Sequence, residues 1–152
     1  MPLFLLLLPF IILWLVFYCV LRISLLAAIW SLWCHRGRNI LFVHSDSPVW
    51  NTHIAQHILP CLDGKAIVLN WSENKKWKRS LATFAFYHFA GNQEFNPIAI
   101  VFRPFHRTRI FRFFRPFREL KGGNPESLRK MEDEFFSLVG IRTEGFFPDS
   151  IP

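Results

Sequence analysis

Hydrophobic positions in this chain fall into two regimes that meet near residue 38. From residue 3 to 34 the only charge is Arg22, and LFLLLLPFIILWLVFY at 3–18 is apolar on every side, with no helical stripe. The uncharged run 3–21 holds 19 residues, about 28 Å as a helix against the ~30 Å of bilayer hydrocarbon. Pro9 is compatible with such a helix. The pattern therefore predicts a transmembrane anchor. A cleaved leader would need a basic start and a small-residue cleavage site; nothing basic precedes Leu3, and LLAAIW at 25–30 is a poor site. The whole run 3–34 as one straight helix would measure about 48 Å, too long for the core. The span is thus 3–21 with an interfacial continuation, or about 12–33 with Arg22 buried or snorkelling; Trp30 and Trp33 suit an interface in both.

Beyond residue 38 short apolar runs alternate with turn residues. NILFVHS (39–45), AIVLNW (66–71) and PIAIVF (97–102) read as strands, apolar on both faces. Between the first two, Ser47-Pro48 reads as a cap, and Trp50, Ile54, Ile58 and Cys61 recur at helical spacing up to Asp63-Gly64. Ser72 is the expected cap of the next helix, whose inner face is Trp77, Leu81, Phe84, Ala85 and Phe89, with Gly91 after it. RIFRFF (109–114) is β-prone and close behind the third strand, which favours an antiparallel hairpin. Asn124-Pro125 opens a last helix, with Leu128, Met131, Phe135, Leu138 and Val139 inward and Gly140 at its end.

These elements predict an α/β chain: residues 1–38 an anchor and basic flank, 39–140 a small three-layer domain with a mostly parallel sheet, and 141–152 a tail. Phe146-Phe147-Pro148 in that tail is expected to pack loosely or touch the membrane. The order β-α-β-α-β-β-α resembles that of thioredoxin-like folds, a likeness of element order alone. It implies two cysteines between the first strand and helix; HSDSPVW at 44–50 has none, so thiol redox chemistry is not expected. The rival is a small Rossmann-like domain with an edge hairpin, although no glycine-rich phosphate fingerprint follows the first strand.

Charge adds orientation and a class of partner. The chain carries a net charge of +7. No Lys or Arg precedes the apolar run, whereas Arg22, Arg36 and Arg38 lie at its end or beyond, so the positive-inside rule puts a short N-terminus outside and the domain in the cytoplasm. Cys19, Cys34 and Cys61 have no metal or redox spacing and fit free cytoplasmic thiols.

Candidate chemistry gathers at the expected carboxyl ends of parallel strands. Those ends read His44-Ser45-Asp46-Ser47, Asn70-Trp71-Ser72-Glu73 and Arg103 to Arg107, which topology would bring to one rim. Lys75, Lys76, Lys78 and Arg79 would crowd the start of the second helix, against its dipole, unless an anion sat there. His44, Asp46, Ser47, Ser72, Lys75, Lys76, Arg103 and Arg107 are the candidate anion-binding residues. His53 and His57 are four apart but have no carboxylate at ligand spacing on their helix, and read as structural; no metal or cofactor is expected.

FRPFHRTRIFRFFRPFRELK (102–121) holds seven Lys or Arg, one Glu and six Phe. On a strand over 109–115, neither face would be purely polar. Either the phenylalanines are buried and the arginines snorkel, or Arg109, Phe111, Arg112, Phe113 and Arg115, with Arg36 and Arg38, meet the membrane surface. Anionic lipid would attract such residues; nucleic acid is the weaker partner for an anchored chain. The expected activity is binding of an anionic head group, a phosphorylated ligand or a membrane partner. The alternatives are an enzyme acting on a phosphorylated or lipid-linked substrate and a structural subunit of a membrane complex. No residue pattern commits the chain to catalysis.

Overall fold

The computed structural model describes residues 2–91 and 96–141, with side chains from Leu7 onward. The aromatic-rich end of the tail lies outside these residues. Helix α1 runs unbroken over Pro2–Leu32, Pro9 included. A 3-10 turn at Cys34–Arg36 and a left-handed Gly37 (φ 75°) then redirect the chain into the sheet. Positive φ is open to glycine because it has no Cβ.

Four strands follow: β1 (Ile40–His44), β2 (Ala66–Asn70), β3 (Ile98–Val101) and β4 (Arg109–Arg112), in sheet order β2-β1-β3-β4. β1 and β2 are parallel, with Ile40 opposite Ala66 and His44 opposite Asn70. β3 is antiparallel to β1, Val43 facing Ile98 and Ile40 facing Val101, and β4 is antiparallel to β3. The sheet is mixed, and the expected right-handed crossover into a parallel third strand does not occur. A parallel return must carry the chain back along the full strand. Here the residues after β2 go into a 3-10 helix (Trp71–Lys76) and a loop whose Trp77 indole N–H donates back to the Asn70 carbonyl at 3.0 Å. Helix α4 (Leu81–Phe89) is short, and β3 begins at the sheet end where β2 stopped.

Between β1 and β2 the chain is helical: α2 (Asn51–His53), a π-helical turn (Ile54–Ile58) and α3 (Leu59–Cys61). The widened turn lies just ahead of Pro60, whose ring would press on the Gln56 carbonyl in a regular α-helix. Ser47 accepts from the Val49 N–H at 3.4 Å in a tight turn rather than capping this helix. The α4 cap is likewise Ser80, not Ser72: Ser80 Oγ accepts from the Thr83 N–H, and Thr83 Oγ1 accepts from the Ser80 N–H. That reciprocal capping box satisfies both donors, which a lone Ser72 would not. After β4 an unforeseen helix α5 (Phe114–Lys121) begins, so the strand ends at Arg112 instead of 115. Helix α6 (Glu126–Val139) ends at Gly140 (φ 72°), as its pattern predicts.

Helices cover both faces of the sheet. On one, Phe42, Val101, Phe111 and Phe113 pack against Ile54, Ile58, Phe117 and Phe135. On the other, Leu41, Val43, Ile100 and Phe102 pack against Phe86 and Phe89 of α4 and against Ile29 and Trp33 of α1. The first helix therefore changes character along its length. Phe10 is 70% exposed and Ile23 67%, whereas Ile29 is fully buried.

Ile29→Ala should destabilise the fold by about 2–5 kcal/mol, the usual cost of truncating a buried aliphatic side chain. Ile23→Ala should cost little. Chemical denaturation of the full chain in detergent compares the two, and equal effects would mean that the end of α1 does not cover the sheet.

Candidate functional site

Three places hold concentrated polar chemistry. The first is the rim where β1 and β2 end. Asp46 Oδ1 accepts from Asn70 Nδ2 at 2.8 Å, the Asp46 N–H donates to Ser72 Oγ at 3.0 Å, and the Ser72 N–H donates to Asn70 Oδ1 at 3.0 Å. Asp46 and Ser72 thus tie two loops together through one another and Asn70. His44 is buried beside them, and its Nδ1 has no hydrogen-bond partner among the described residues. Arg103 and Arg107 do not join this rim: with β3 antiparallel, they follow Val101 at the opposite end, beside the start of β1. Lys75 and Lys76 lie in the last turn of the 3-10 helix, where cations suit the dipole, and not at the start of α4. Of the four cations expected there, only Lys78 and Arg79 remain beside the start of α4, directly before its Ser80 cap. Lys76 pairs with Glu73 at 3.6 Å on the open surface, a contact of little energetic weight.

The basic aromatic segment resolves mostly into core and clasps. Phe111 and Phe113 are 3% and 0% exposed, which removes them from any membrane surface. Phe111 on β4 and Phe113 just past its end meet Phe135 of α6 at 5.3 and 5.8 Å between ring centroids. Arg109 donates to Glu134 at 2.6 Å and Arg112 to the Ala90 carbonyl at 2.6 Å. Arg115 opens α5 on the exposed surface, and Arg36 and Arg38 are exposed at the turn after α1.

The second place was not legible along the helix that carries it. His53 Nε2 donates to Glu132 Oε1 of α6 at 2.7 Å, with Glu132 only 2% exposed. The His57 ring lies 4.8 Å from that of His53, and the Cys61 thiol donates to the His57 carbonyl at 3.2 Å. Burial, and secondarily the Glu132 charge, push the Cys61 thiol up, which disfavours a thiolate nucleophile. No group of three or more metal-ligating side chains occurs among the described residues. The pair clamps α2 to α6. One sequence signal could have exposed it: Glu132 falls between Leu128 and Phe135 on the inward stripe of α6, where a carboxylate needs a partner.

The third place is a groove of about 550 Å³ between α1 and the β3–β4 loop, lined by Arg22, Leu26, Trp30, Phe105, His106, Arg107 and Thr108. The Arg22 guanidinium sits over the Phe89 ring, 5.5 Å from its centroid. Trp30 Nε1 is buried without a hydrogen-bond partner among the described residues. A smaller groove of about 350 Å³, between Pro48-Val49 and α5, is largely apolar, with Lys121 at its edge. Between α4 and α1, the His88 ring stacks on Tyr18 at 5.4 Å, and burial followed by the charge of Arg22 holds its pKa below the ordinary value. The chain matches no protein-family model, no curated protein and no solved structure.

Glu132→Ala strands His53 and should cost about 2–3 kcal/mol, against less than about 1 kcal/mol for the exposed Glu134→Ala; denaturant midpoints read the difference. His88 supplies a pH dependence. Because its folded pKa is depressed, the stability it contributes is full above the unfolded value of about 6.5 and is lost as pH falls through the folded value. The melting temperature should therefore fall on acidification from pH 7 to 5, and by less in His88→Phe.

Proposed function

We infer that this is a single-pass membrane protein whose small α/β domain lies in the cytoplasm against the bilayer and binds anionic head groups there. One observation carries the reading: α1 is long and apolar enough to cross a membrane, with a mean hydropathy of 2.4 over its apolar window, and it runs without a break into the domain core at Ile29 and Trp33. An apolar surface this continuous is costly in water. A helix packed so closely into the domain leaves that domain no slack to move away from the bilayer.

Basic residues after the span favour a short outer N-terminus and an inner domain. The thioredoxin-like element order remains the best description of the domain, with α5 as an addition between β4 and α6. The absence of cysteine from 44–50 favours a binding module over a thiol oxidoreductase.

Membranes containing the full chain, tagged at both ends, test the reading. The protein should stay with the membrane through alkaline carbonate. Protease added outside intact cells should remove the N-terminal tag and spare the domain. Release by carbonate would rule out the span, and loss of the C-terminal tag would reverse the orientation.

A further inference from the structure

We propose that the groove between α1 and the β3–β4 loop is a binding site for the phosphate-bearing head group of an anionic phospholipid; this rests on the membrane reading above. Its lining supplies cations from Arg22 and Arg107 and no carboxylate. Trp30, which lines the same groove, has an indole N–H that is buried without a partner among the described residues. An unsatisfied buried donor is costly, and a phosphate oxygen is an acceptor of the kind that would relieve it. Donors of this type, two guanidinium groups and an indole, are those that phosphate recognition uses.

The walls are apolar where a glycerol backbone or the start of an acyl chain would lie. Leu26 and Trp30 form one side and Phe105 the other, with the Trp30 and Phe105 rings 5.6 Å apart. Phe105 is 92% exposed and has a positive φ of 62°. A bulky residue rarely adopts that conformation, and such strain clusters at ligand-holding loops. Within the loop, His106 Nδ1 and the Pro104 carbonyl lie at 2.9 Å, so Nδ1–H donates inward.

Position supplies the choice of lipid over a soluble anion. Arg22 is the first charge after the uncharged run, and the groove extends from it to Trp30, about 12 Å along the helix. The polar region of one leaflet is about 5–8 Å deep, so the Arg22 end of the groove meets head groups wherever the uncharged run fills the hydrocarbon. Phe89 beneath the Arg22 guanidinium holds the cation at that level.

The test titrates the full chain in a neutral, phosphate-free detergent with short-chain phosphatidylglycerol, phosphatidylcholine or glycerol 3-phosphate, with adducts counted by native mass spectrometry. Phosphatidylglycerol should bind at least about tenfold more tightly than phosphatidylcholine. Arg107→Glu should lose about tenfold, the loss expected for a charge-assisted hydrogen bond. Trp30→Phe, which keeps the ring and removes only the N–H, should lose about threefold at the lower end of the same range. Lys130→Glu, exposed on α6 across the sheet from α1, should bind as the parent does, and melting curves should show all three variants folded. Equal affinity for the two lipids, unchanged affinity in both groove variants, or an equal loss in Lys130→Glu overturns the proposal. Equal affinity for glycerol 3-phosphate and phosphatidylglycerol assigns the groove to a soluble phosphate and overturns the lipid. Carbonate extraction of the same protein separates the failures: release from the membrane removes the anchor reading, whereas retention without lipid preference removes only the groove.

Discussion

One helix carries two kinds of apolar surface, one exposed and one packed into the domain, and much of the structure follows from that. The side chains of Phe10, Leu13 and Trp14 face outward from α1 and are more than half exposed, whereas Ile29 and Trp33 are buried against the sheet. The same rigid element therefore presents a lipid-compatible surface at one end and a domain layer at the other. Without its last turns, Leu41, Val43 and Phe102 would lose part of their cover. The domain thus needs the end of α1 for its packing.

The antiparallel entry of β3 has a second consequence. It moves Arg103 and Arg107 away from the His44 rim and sets the β3–β4 loop against α1, where Arg107 and Arg22 line one groove. The rim left behind is largely satisfied by its own hydrogen bonds among Asp46, Asn70 and Ser72. Cations that look free along the chain are also committed: Arg109 holds Glu134, and Arg112 holds the Ala90 carbonyl. Where such a donor is partly buried, as Arg112 is, it orders the elements it joins, because leaving either partner unmatched is expensive. The His53–Glu132 pair does the same between α2 and α6.

Much of the architecture was legible from local pattern. The uncharged run, the three apolar strands, the hairpin and the last helix with its Gly140 stop all appear near their expected places. Misreadings arose where two local signals competed. Ser80 with Thr83 displaced Ser72 because a reciprocal cap satisfies more donors. In RIFRFFRPFREL, β-prone residues run straight into an amphipathic turn, with Phe113, Phe117 and Leu120 on one face, so helix α5 was hidden behind the strand signal. The alternation of Arg and Phe left two surfaces open, and burial chose the core for Phe111 and Phe113.

The sequence alone determined the three apolar strands, the last helix and which end of the chain suits a membrane, because those depend on period, breakers and charge within a few residues. Only the tertiary structure decided the direction of β3, the union of His53 with Glu132, and the meeting of Arg22, Trp30 and Arg107 around one groove. Those outcomes depend on how much sheet a short connection can traverse and on contacts between residues far apart in the chain, which no local period encodes.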